Sequence, residues 1–215
     1  MEKLPAPAIF ELLSNGSCLG FRAEELGRYL EEGLLDLDAH CDAQPLVDET
    51  GYSLVHVLAA TARLQVSEAV TQGRRALLDR LIDLGAPLNL PARNKANAPL
   101  HVAAVWSNSW AAHRLLDAGV PVNLQNSAGE TVLHLSVVVG AIDLFKELVV
   151  RGGDPEILSL SGEMAFDCGN KKVGLQLRDW YSSFLASKSI SDSMGIDGVV
   201  SERLPASPPR TGLSL

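Results

Sequence analysis

Three pairs of residues recur at one interval. Leu100-His101, Leu133-His134 and Phe166-Asp167 follow one another at steps of 33 positions. The unit between them is clearest in residues 129–156. A glycine turn leads into Thr131-Val132-Leu133-His134, and a short apolar helix follows that breaks at Gly140. A second helix, 142–150, then stops at Gly152-Gly153. The same order stands upstream, from Ala98-Pro99-Leu100-His101 to a second helix ending Leu115-Leu116-Asp117-Ala118-Gly119. A unit of this size cannot bury its apolar face alone, so the chain must stack such units into a continuous core.

A 33-residue period of turn plus two helices resembles the ankyrin repeat. The likeness covers roughly residues 22–186. It implies an all-α fold: an ankyrin-repeat solenoid with short hairpin turns and degenerate terminal caps. Thr131 keeps the hydroxyl that opens the first helix of such a repeat, while Val132 replaces its proline; Ala98-Pro99 does the reverse. Ser53-Leu54-Val55-His56 stands in the same place one repeat earlier, without the proline. The resemblance gives His56, His101 and His134 a structural role, bridging backbone and the neighbouring turn. Equivalent residues of stacked repeats lie about 10 Å apart, far beyond the roughly 2 Å bonds of a shared metal. No metal and no cofactor are expected.

Taken in order, residues 1–50 read as an N-terminal extension and degenerate capping repeat, with helices at 8–13 and 22–32. Residues 51–186 read as the repeat stack, and 187–215 as a flexible tail rich in Ser, Gly, Asp and Pro. His56 and His101 are 45 positions apart, and the excess falls in an insertion at 62–72 whose composition permits helix. The insertion therefore either lengthens the helices of its repeat or forms a surface loop. The second helix of that repeat is expected over 74–84. The fourth repeat decays: residues 168–172 make a poor first helix, and 173–186 recover a helix that serves as the C-terminal cap.

Composition narrows the function. Net charge is −8, with no basic run of the kind that neutralises phosphates, so direct nucleic-acid binding is not expected. Cys18, Cys41 and Cys168 form neither a ligand pair nor a disulfide framework, and suit a reducing compartment. No run reaches the length of a membrane span, and the N-terminus lacks the apolar core of a signal peptide. A cytoplasmic or nucleocytoplasmic protein is expected. There is no phosphate-binding glycine loop, nucleophile elbow or zinc-binding histidine pair, so no catalytic residues are expected.

In the resembled fold, the ends of the first helices and the hairpin tips line a concave surface. Here those helix ends carry Val105 and Trp106 in one repeat and Val138 and Val139 in the next. Aromatic anchors within an apolar patch supply much of the energy of protein association. The patch is either open to a partner or covered by Trp106 and the insertion. Trp110 either joins it or packs on the outer side. Arg93, Lys95, Asn126 and Glu130 are expected at the hairpin tips as a polar rim, and Lys171 and Lys172 make one end locally basic. The expectation is a non-enzymatic protein–protein interaction module that recruits or regulates a protein partner through this surface. The alternative is a dedicated inhibitor or folding partner of one enzyme or toxin.

Overall fold

The computed structural model describes residues 40–41, 52–60, 68–93 and 95–194. The helices expected at 8–13 and 22–32, the first part of the insertion and the last 21 residues lie outside them. Two compact units divide the chain, 1–174 and 175–215.

The first unit opens with a two-residue antiparallel ribbon, β1 (His40–Cys41) on β2 (Tyr52–Ser53), in which His40 faces Ser53. Apart from this ribbon its described regular structure is helical. The first pair is α1 (Leu54–Ala59) and α2 (Glu68–Asp83), the second α3 (Pro99–Val105) and α4 (Ser109–Asp117), the third α5 (Val132–Val139) and α6 (Ile142–Val150). A single 3-10 turn, Ala165–Asp167, precedes α7 (Lys171–Met194). The arrangement is a set of repeated helix pairs: α3 packs between α1 and α5, and each also packs on the second helix of its own pair.

Each first helix starts where its residues favour a start. Ala98 and Thr131 are extended, and Pro99 fixes the opening φ of α3. The core between pairs is aliphatic: Leu78, Leu81, Leu100, Leu115, Leu133 and Leu148 are fully buried. Phe145 is equally buried and meets Phe166 at 5.7 Å between ring centres, so the short turn of the fourth repeat seals the third.

Hairpins join the pairs and stack on each other by backbone bonds. Each closes on itself, Ala92 N–H to Asn97 C=O, Asn126 N–H to Glu130 C=O and Ser159 N–H to Glu163 C=O, all at 2.9 Å. Ser127 N–H then donates to Lys95 C=O at 2.9 Å, and Leu160 N–H to Ala128 C=O at 2.8 Å. This is the 33-residue period expressed as a hydrogen-bond ladder.

Two boundaries differ from those read in the sequence. Helix α2 begins at Glu68, not at 74, so the end of the insertion lengthens the second helix of its repeat, whereas α1 stops at Ala59. Lys171 and Lys172 open α7 rather than ending a first helix. The cause is Gly169 at φ +66, a left-handed backbone that favours glycine and breaks the chain between the 3-10 turn and α7. Leu175 begins the second unit, whose described part is helix to Met194, eight residues beyond the boundary read at 186. Along it the rings of Trp180 and Phe184 stack at 5.4 Å.

Candidate interaction surface

The repeated histidines bear directly on what chemistry this surface holds. The amide N–H of Thr131 donates to His134 Nδ1 at 3.1 Å, and the Thr131 hydroxyl lies 2.9 Å from the same atom. His134 Nε2 is 3.1 Å from the carbonyl of Glu163 in the next hairpin. His56 repeats the pattern with Ser53 and the carbonyl of Asn97. His101 repeats it with Ala98 N–H and the carbonyls of Leu124 and Glu130. A nitrogen that accepts from an amide carries no proton, so each ring is neutral with its proton on Nε2. Burial pushes the pKa of His101 down, against the raising effect of its backbone bonds to Glu130 and Leu124. Both nitrogens of every repeated histidine are thus committed to the fold. Among the described residues no group of three or more His, Cys, Asp or Glu has the disposition of a metal site.

Charge is distributed unevenly between the two helix layers. The first helices α1, α3 and α5 contain no Asp, Glu, Lys or Arg. The second helices carry a ladder of ion pairs from one repeat to the next: Arg114 to Asp79 at 2.6 Å, then Arg151 to Asp117 at 2.5 Å. The bond to Arg151 holds the Asp117 carboxyl below its ordinary pKa. The second-helix layer thus carries charges that are partly paired between repeats, while the first-helix layer is apolar by composition.

The inner helices end differently. Val105 and Trp106 are half-buried at the close of α3, Val139 is half-buried at the close of α5, and Val138 is 52% exposed. The two pairs stand at equivalent positions, 33 residues apart, at the ends of two helices that pack on each other. Gly169 lies directly against Val138: a Cβ added to that glycine would come within 2.8 Å of Val138 Cα. Asn170, Lys171 and Lys172 follow at once and are exposed.

Other expected residues sit elsewhere or are already engaged. Trp110, in the first turn of α4, has its ring 5.2 Å from the Arg75 guanidinium of α2 and belongs to the second-helix layer. Asn126 is buried rather than a rim residue. Its Nδ2 donates to Asn97 Oδ1 and Glu130 Oε2, and its Oδ1 accepts from the amides of Ala128 and Glu130. With three bonds inside its own turn and one to Asn97 of the preceding hairpin, this side chain is a structural keystone. Glu130 is half-buried, with its carboxylate on Asn126 and its carbonyl on His101. Arg93 and Lys95 are exposed at the first tip.

Two residues escaped sequence reading. Asn108 caps α4 through Oδ1 and at the same time donates to the carbonyl of Ala59, at 3.0 Å. Arg74 is buried against α1, with Nη2 on the Val57 carbonyl at 3.3 Å. Its Nε and Nη1 are buried without a hydrogen-bond partner, and burial pushes its pKa down to about 10. In sequence it is simply one of two adjacent arginines near the start of a polar helix.

No helix among the described residues is long and apolar enough to cross a membrane. The chain matches no protein-family model. Over 135 residues, 58% of the chain, it is 29% identical to rabankyrin-5 of Homo sapiens. Over 73 residues, 34% of the chain, it is 37% identical to the Neurogenic locus Notch protein of Drosophila melanogaster, and over 74 residues 36% identical to human Neurogenic locus notch homolog protein 1. These stretches amount to 11% of rabankyrin-5 and 3% of each Notch protein, so the chain spans a small part of the relatives it matches. The likeness to rabankyrin-5 is weak, and it agrees with an ankyrin-like repeat arrangement of helices.

Proposed function

We propose that the chain is an ankyrin-type interaction module that holds a protein partner against the ends of α3 and α5. The observation that carries this reading is the inner layer itself. In a chain with 20% charged residues, three packed helices have none, and their ends leave Val138 open beside half-buried Val105, Trp106 and Val139. Exposed apolar area bordered by polar groups is a mark of association sites. The second helices differ in carrying charges, among them Arg114 and Arg151, which are bonded to carboxylates of the preceding repeat.

The test is affinity capture from cell extract on four immobilised proteins: wild type, Trp106→Ala, Val138→Asp and Trp110→Ala. Far-UV circular dichroism establishes that each is folded. The expected result is a partner retained by wild type and by Trp110→Ala, and lost from the two face variants. Equal retention by all four folded proteins would overturn the reading.

A further inference from the structure

We propose that the segment this face accepts is an acidic peptide, with apolar side chains against Val138 and Val139 and carboxylates on Lys171 and Lys172. The proposal rests on the reading of that face as a docking site and adds the chemistry of its occupant.

The lysines stand where electrostatics disfavours them. They are the first two residues of α7, where the unpaired amides of a helix N-terminus present partial positive charge and favour acids over bases. Asn170 Oδ1 accepts the Lys172 amide at 2.9 Å and satisfies one of those amides, but it supplies no charge. Neither lysine forms an ion pair with a described residue. Arg114 and Arg151 of the second helices, by contrast, are each bonded to a carboxylate. The chain as a whole is acidic, at −8, so two adjacent unpaired cations at a helix start form a local exception.

Position gives the exception a use. Gly169 packs against the backbone of Val138, the most exposed apolar residue of the face, and Lys171 follows two residues after that glycine. No acid lies on α3 or α5 to answer them. Of the acids on the neighbouring hairpins, the Glu130 carboxylate is bonded to Asn126 and that of Glu163 to the Ser161 hydroxyl. A ligand that buries apolar groups on the valines would therefore meet, just beyond Gly169, two exposed cations that form no ion pair with a described residue. Charge complementarity at such a rim selects partners and speeds their encounter.

The experiment uses the full chain and a random peptide library displayed on phage, selected separately on wild type, Val138→Asp and Lys171→Glu/Lys172→Glu. Acidic residues at a helix start are favourable, so the double variant is expected to keep its fold, which circular dichroism checks. Wild type is expected to enrich peptides pairing large apolar residues with Asp or Glu. Synthetic copies should bind the double variant at least about tenfold more weakly, and should weaken on wild type as salt is raised. The double variant should enrich basic peptides instead. Peptides lost on Val138→Asp but indifferent to the lysine reversal would overturn the acidic class and leave the docking face standing. Peptides indifferent to Val138→Asp, or no enrichment on wild type, would overturn the docking face and this proposal with it.

Discussion

The side-chain amide of Asn108 donates to the carbonyl of Ala59, 3.0 Å away and 49 positions earlier in the chain. The same side chain accepts the amide of Ala111 through Oδ1 and so caps α4. One residue thus closes the last turn of α1 and opens a helix of the next repeat. Asn108→Ala removes both bonds and is expected to cost about 1–3 kcal/mol in chemical denaturation. Asn108→Asp keeps the capping oxygen and loses only the donor, so its loss should be smaller. A larger loss for Asp than for Ala would overturn this division of labour.

His101 makes stability depend on acidity. Its pKa is lowered from the ordinary 6.5, chiefly by burial, so the unfolded chain takes up the proton before the folded one does. The stability it contributes is therefore complete above about pH 6.5 and is lost as the pH falls toward the lowered folded value. His101→Gln removes this titration. Denaturation of both proteins from pH 8 to pH 5 should show a steeper acid loss for wild type, by at most about 1.4 kcal/mol per pH unit. Parallel curves would show that His101 is not the titrating group.

The second repeat uses side chains where later repeats use glycine. Ala96 has φ +49, and its counterparts 33 and 66 positions on are Gly129 and Gly162; Ser107 has φ +56, and its counterpart is Gly140. Left-handed backbone costs a residue with a Cβ about 1–2 kcal/mol, part of which glycine returns through its greater freedom in the unfolded chain. Ala96→Gly and Ser107→Gly are each expected to stabilise by about 0.5–1 kcal/mol and to raise the melting temperature. A fall in melting temperature for both would contradict the backbone assignment.

Gly174 lies in the first turn of α7, where it crosses the 3-10 turn. A Cβ placed there would collide with the Phe166 carbonyl oxygen, a contact no rotamer relieves. Gly174→Ala should therefore destabilise despite the better helix propensity of alanine. At Gly140 a Cβ meets nothing within 4 Å and only its φ of +72 resists substitution. Gly174→Ala should accordingly cost more than Gly140→Ala, which is expected near 1 kcal/mol. The reverse order in thermal melts would mean that α7 can slide away from Phe166.

The repeat pattern was legible because it is local and redundant. Leu100-His101 and Leu133-His134 mark the starts of α3 and α5, and the resemblance to ankyrin repeats that they carry implied the structural role of the histidines. Val105 and Trp106 fall 33 positions before Val138 and Val139, so their equivalence at the helix ends was legible for the same reason. Asn126 was misread as rim because a polar residue in a turn is ordinarily solvated, and nothing in its neighbours announces that Asn97 and Glu130 converge on it. Trp110 was ambiguous because an aromatic just after a helix start suits either layer; Arg75 of α2 decides the matter by lying over its ring.

By itself the sequence determined the period, the helix pairs and the placement of apolar side chains, because these depend on spacing within a single unit. Only the tertiary structure decided what one repeat does to the next. It buried Asn126, joined Asn108 to Ala59 and set Gly169 against the backbone of Val138. Those relations are contacts between residues far apart in the chain, made where backbones of neighbouring repeats approach within hydrogen-bond or van der Waals distance, and no local pattern encodes which side chain will meet which carbonyl.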